Sequence, residues 1–185
     1  MIETVREIVK SECKQRDWND WEYHIKFVVK HSKFLAEKLN ADKEVVELAA
    51  LLHDIGRVKF GPKNHEITGS SEAEKILKQL NYPQNVIGEV KHCIETHRTG
   101  KNIERKTLAA EIIANADAMA HYDAFPFMIK AGLNKNKGDL EKAIDWVYKK
   151  MERDWKDLTL PVVREMMNDK HEAIKLLLNS VRAQG

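Results

Sequence analysis

The residues best suited to chemistry in this chain are a histidine and an aspartate side by side, His53 and Asp54, in the run Leu51-Leu52-His53-Asp54-Ile55-Gly56. The pair stands where a very apolar helix leaves the core. Neighbouring helical residues diverge by about 100°, yet both side chains can reach one cation that sits near the helix end. Taken alone, the pair also fits a buried histidine with a capping aspartate. Two other residues favour the cation. His24 opens an earlier apolar-striped helix, and Asp117 lies in Ala-Asn-Ala-Asp-Ala-Met-Ala. A carboxylate in so apolar a stretch is costly unless it is paired or bound to a cation. Two neutral imidazoles and two carboxylates form a mixed nitrogen and oxygen set, suited to a divalent Mn, Fe, Co, Ni, Mg or Zn ion with positions left for water. Thiolate ligation is not indicated, because Cys13 and Cys93 lack metal-type spacing.

The elements that must position these residues read as helices. Apolar residues recur at helical spacing over Ile2, Val5, Ile8 and Val9, and again over Ile25, Val28, Val29, Leu35, Ala36 and Leu39. Asp42 suits an N-cap for a helix running through Val45, Val46, Leu48, Ala49 and Leu52, with Gly56 just past its end. Ser71-Glu72-Ala73-Glu74 reads as a capping box opening a short helix. A further stripe covers Val86, Val90, Cys93, Ile94 and His97 before a polar, basic loop, Arg98 to Lys106. An alanine-rich helix then spans Leu108 to His121. Residues 124–138, with Pro126, Gly132 and Gly138, read as irregular or only partly helical. Asp139 caps a following helix, and Pro161 opens the last one. The two C-terminal stripes suit either a closing layer of the core or a dimer face, the core being the commoner use.

No period-2 strand, repeat or linker is evident, so the expected class is all-α, with about seven or eight helices. The length of 185 residues suits one domain. Eight glycines and four prolines are about half the usual share, which favours long elements. The 31 basic and 29 acidic residues balance; this argues against a nucleic-acid binder held by bulk charge. No apolar run approaches the ~18–20 residues of a membrane span, and no signal-peptide pattern opens the chain. A reduced cytoplasmic protein is the expectation.

Further motifs accompany the first set: His65-Glu66-Ile67-Thr68-Gly69, Ile94-Glu95-Thr96-His97 and Asn115-Ala116-Asp117. Together with His24-Ile25 and Leu51-Leu52-His53-Asp54-Ile55-Gly56-Arg57, this ordered series resembles the HD-domain metal-dependent phosphohydrolase superfamily, in its small stand-alone form. The resemblance implies a helical-bundle HD domain over residues 1–185. Its metal-binding core would cover about 21–121, with C-terminal helices 139–183 packing on it. It implies His24, His53, Asp54 and Asp117 as ligands of the principal metal. Two-metal members imply a histidine in a His-x-x-x-Gly context and then a histidine pair. Here His65 precedes Gly69, but His97 is followed by Arg98. His65 and His97 are accordingly read as ligands of a second metal or as substrate and proton-transfer groups. The cyclic-dinucleotide and stringent-response branches do not match, because His97-Arg98, Asn81-Tyr82-Pro83 and Val58–Glu66 depart from their signatures.

The activity implied is hydrolysis of a phosphate ester or anhydride of a nucleotide or other small phosphorylated metabolite by a metal-activated water. Asp54 is both ligand and candidate base. Arg57, with His65 or His97, would steady charge on the phosphoryl oxygens. Lys59, Lys63, Lys101, Arg105 and Lys106 could rim the same pocket, and Glu66 is a nearby carboxylate for proton transfer. His31 suits a supporting or surface role. His121 could orient Asp117 or touch substrate. His92 is a weaker candidate, and His171 and Cys13 read as bystanders. The rival readings are a non-catalytic metal- or nucleotide-binding regulatory module, and an interaction domain or homodimer formed through the C-terminal helices.

Overall fold

The computed structural model describes residues 1–15, 19–98 and 103–182. Among these residues the secondary structure is helical throughout, in ten α-helices and one π-helical turn. That exceeds the seven or eight helices expected from sequence. The order is α1 (Ile2–Lys14), the π turn (Trp21–Ile25), α2 (Lys26–Lys38), α3 (Lys43–Leu52), α4 (Ile55–Phe60), α5 (His65–Gln79) and α6 (Gln84–Thr96). There follow α7 (Leu108–Asp123), α8 (Phe125–Lys135), α9 (Leu140–Asp157) and α10 (Pro161–Arg182). Lys101 lies outside the described residues.

The middle of the bundle is α7. Its face is buried almost all round, from Ala109 through Ala120, and it packs against α2, α3, α6 and α9. Alanine is what makes this geometry available: small side chains let several helices approach one axis. Thr107 caps its start by accepting from the Ala110 N–H. Asp42 caps α3 through the N–H groups of Glu44 and Val45, and Asp139 caps α9 through that of Lys142. These three hydroxyl or carboxylate caps satisfy donors that a helix start leaves without partners.

Three sequence expectations are corrected. First, α3 stops at Leu52, and Gly56 lies inside α4 rather than past a helix end. A Cβ on Gly56 would stand 2.2 Å from the His65 carbonyl oxygen and 2.4 Å from the Gly69 nitrogen. Glycine is there because the α4 and α5 backbones touch. Secondly, α5 begins at His65, and Ser71 lies mid-helix with its hydroxyl donating back to the Ile67 carbonyl. Thirdly, residues 125–135 are a regular helix. Pro126 falls in its first turn, where a missing N–H costs nothing, and Gly132 lets Ala143 and Val147 of α9 approach closely.

The C-terminal stripes divide. Ala143, Val147, Met151, Val163, Met167 and Leu178 are buried in the core, whereas Met166, Leu177 and Val181 are exposed. No helix among the described residues is long and apolar enough to cross a membrane. Gly56→Ala is expected to destabilise the fold by about 3 kcal/mol, since backbone on both sides must shift. Gly88→Ala, with nothing within 4 Å of its new methyl, should stabilise by about 1 kcal/mol. Urea unfolding of both variants checks this contrast.

Candidate metal centre

Each of the six residues singled out as ligands comes from a helix end or from the buried face of α7. His24 stands on the π-helical turn, a form of helix often met at functional sites. His53 is the C-cap of α3 and His97 the C-cap of α6. Asp54 follows in the corner before α4, and His65 opens α5. Asp117 projects from mid-α7. All six are buried.

A common local bond orients three of the imidazoles. His53 Nδ1 donates to the Ala50 carbonyl at 2.8 Å, His65 Nδ1 to Pro62 at 3.1 Å, and His97 Nδ1 to Ile94 at 2.6 Å. In every case the acceptor lies three residues back. For His53 and His97 it is a terminal helix carbonyl that would otherwise lack a partner. The bond places the ring proton on Nδ1 and leaves Nε2 with a bare lone pair, which is how a metal-ligating histidine is usually prepared.

The imidazoles and the two carboxylates meet in two adjoining groups, His24 with His53 and Asp117, and Asp54 with His65 and His97. In the first, His24 Nε2 lies 3.1 Å from His53 Nε2 and 3.0 Å from Asp117 Oδ1. The contact of His24 with Asp117 is a hydrogen bond, and the same spacing suits a shared octahedral ion, on which ligands at 90° with bonds of ~2.1 Å stand about 3.0 Å apart. Asp54 joins the groups. Its Oδ2 lies 3.7 Å from His24 Nε2 and 3.9 Å from His53 Nε2, while its Oδ1 lies 3.2 Å from His65 Nε2 and 3.9 Å from His97 Nε2.

The electrostatics suit a cation. Burial resists the charge on Asp54, but His53, Arg57 and His24 outweigh it and hold the carboxyl far below its usual range. Asp117 is likewise held low against burial by His121 and His24. Burial pushes His53 down to about 4, and it also lowers His97. Burial opposes charge on His24 as well, but the hydrogen bond and charge of Asp117 overcome it and raise its pKa. Two ionised carboxylates and the bare Nε2 atoms of His53, His65 and His97 form a donor set that fits a divalent ion, which His24 joins on giving up its proton.

The surrounding candidates separate. Arg57 reaches within 3.9 Å of Asp54 Oδ2, with 43% of its side chain exposed. Lys59 is instead tied to Glu72 and Glu12, joining α4 to α5 and α1. Arg105 turns to Asp157 and the Thr96 carbonyl, and His92 accepts from the Lys106 N–H. Glu66 is fully buried and receives Arg98 at 2.9 Å, so it is an ion-pair partner rather than a proton carrier in waiting. His31 pairs with Asp123. His171, read as a bystander, is buried against Trp155 and Tyr122. Asn115, quoted only as part of a motif, has a structural task. Its amide oxygen accepts from the Thr159 and Leu160 N–H groups, and its amide nitrogen donates to Thr159 Oγ1.

The model of the HD domain family matches residues 21–121, which is the stretch from the π turn to the end of the α7 cluster. The chain belongs to the HD-domain family. Solved structures agree on the fold. Bacillus subtilis YpgQ in complex with ADP is similar at 21% identity and a TM-score of 0.75, over 100% of this chain and 94% of that one. An HD-superfamily hydrolase from Bacillus thuringiensis is similar at 18% identity and a TM-score of 0.73, over 99% and 95%. A tRNA (cytidine(56)-2'-O)-methyltransferase of Picrophilus torridus is 27% identical over 110 residues, 54% of this chain and 31% of that protein. The chain thus spans about a third of that relative's length.

The raised pKa of His24 sets the sign of a pH effect. A proton and a divalent ion compete for the same nitrogen. Mn²⁺ affinity should fall by about tenfold per unit as the pH drops below the His24 pKa and level off above it. His53 adds nothing to that loss until about pH 4. Calorimetric titration in buffers of differing ionisation enthalpy counts the displaced proton; an affinity flat across about pH 5–8 contradicts it.

Proposed function

We propose that this protein is a metal-dependent phosphohydrolase acting on a phosphate ester or anhydride of a nucleotide or other small phosphorylated metabolite. The observation that carries the reading is the division of Asp54 between the two donor groups, with one oxygen toward His24 and His53 and the other toward His65 and His97. In this reading His24, His53, Asp54 and Asp117 hold the principal ion, and His65 and His97 complete a second position with Asp54. Divalent ions bound there would supply a Lewis acid for phosphoryl oxygen and acidify a water molecule.

The chain's own residues have distinct tasks. Asp54 orients the attacking water by accepting its hydrogen bond; its low proton affinity suits it to ligation more than to keeping a proton. His65 and His97 present bare Nε2 atoms, which favours ligation over donation to substrate. Arg57, half in solvent and beside Asp54, can take two phosphoryl oxygens through its guanidinium and offset charge as the bond to phosphorus breaks. The burial of the six ligand side chains keeps these interactions in a weakly screened environment. The nucleotide choice draws support from YpgQ, whose similar fold was solved with ADP.

Asp54→Asn is expected to abolish turnover on a panel of nucleotides and phosphoesters and to weaken binding of both ions. Arg57→Ala should leave ion binding intact and lower kcat/KM by about a hundredfold, roughly 2.7 kcal/mol. Ion content by mass spectrometry of the native protein, with phosphate release on the same samples, reads both. An ion-loaded protein that hydrolyses no member of the panel favours the regulatory-module reading.

A further inference from the structure

His121 lies one turn beyond Asp117 on α7, and its ring stacks on that of His24 with centroids 5.1 Å apart and planes 12° apart. It therefore sits against the metal centre, with 12% of its side chain exposed. Lys150 of α9 places its ammonium 3.1 Å from His121 Nδ1. Asp154, one turn later, is fully buried and holds Lys150 through Oδ1. Its Oδ2 lies 3.1 Å from the same Nδ1 but makes no hydrogen bond.

These contacts fix a tautomer. An ammonium has protons to give and no lone pair to offer. The nitrogen it donates to must be bare, so the ring proton of His121 sits on Nε2. That is the reverse of His53, His65 and His97, whose protons sit on Nδ1. Three imidazoles of the cluster thus accept, and a fourth beside them donates. An Nε2 that carries a proton cannot ligate a cation and needs an acceptor. Among the described residues no protein group accepts from it, and it is not one of the sealed, partnerless atoms.

We infer that His121 is a further substrate-binding residue, donating its Nε2–H to a phosphoryl oxygen of a substrate held at the metal centre. Lys150 is a positioning residue that sets the His121 tautomer, and Asp154 positions Lys150. The identity of the acceptor rests on the phosphohydrolase reading; the tautomer does not.

Nitrogen-15 spectra of the histidine rings in Mg²⁺-loaded protein read the tautomer directly. The expected result is protonated Nε2 for His121 and protonated Nδ1 for His53, His65 and His97. In Lys150→Met the Nδ1 proton should appear, because Asp154 Oδ2 then becomes the nearest partner. Calorimetry with inorganic phosphate on the same loaded protein reads the contact. His121→Ala should bind phosphate about tenfold more weakly, and His121→Gln should recover part of that loss through its amide N–H, both with Mg²⁺ affinity unchanged. Lys150→Met should resemble His121→Ala. A wild-type ring protonated on Nδ1, phosphate binding indifferent to His121→Ala, or Mg²⁺ lost together with phosphate overturns the assignment. A wild type that binds Mg²⁺ but no phosphate overturns it together with the phosphohydrolase reading.

Discussion

The structure is organised around buried negative charge. Asp54 and Asp117 lie within a few ångströms of one another's imidazole neighbours, almost out of reach of water. Left alone, two such carboxylates would cost several kcal/mol. Each neighbouring element carries something that offsets this: the π turn brings His24, the end of α3 His53, α4 Arg57, α5 His65, and α6 His97. Alanine on α7 is what allows them all to arrive. Larger residues at 114, 116, 118 and 120 would hold the surrounding helices away from Asp117.

Helix termini solve a second problem with the same side chains. A helix leaves carbonyls unmatched at its C-terminal end. At α3 and α6 the histidine that caps the end satisfies one of them. The bond that finishes the helix also chooses which ring nitrogen faces inward. Local folding and ligand preparation are therefore one event at these two corners. The same economy explains Gly56. Without it α4 could not lie on α5, and the Asp54 corner would not be drawn beside His65.

Much of this was legible in the sequence. The series His24, His53, Asp54, Asp117 stands out because charged residues interrupt apolar stripes, and the caps at Asp42 and Asp139 follow from side chains able to accept from a helix start, whereas the Thr107 cap went unread. The misreadings share a cause: a local signal whose tertiary purpose lay elsewhere. Gly56 has the type of a helix stop, but it serves a backbone contact with α5. Ser71 to Glu74 has the letters of a capping box, but its hydroxyl bonds backward within a helix that already began at His65. Pro126 has the type of a breaker, but it falls in a first turn. Lys59 and Arg105 are basic near the centre in sequence and turn away from it in space, because acidic partners on other helices claim them. Contact of His121 with Asp117 or substrate could be read from its place one turn beyond Asp117, but its partners Lys150 and Asp154 could not, since they lie on α9.

Asn115 stands two residues before Asp117 and clasps the corner between α9 and α10 through the Thr159 and Leu160 backbone. The C-terminal hairpin is consequently no detachable appendage. Shortening the chain before that corner would leave a buried amide with no matching partner for its oxygen, on the very segment of α7 that must present a carboxylate with its geometry intact. Helices α9 and α10 in this way help to hold the donor groups of the candidate metal centre in place.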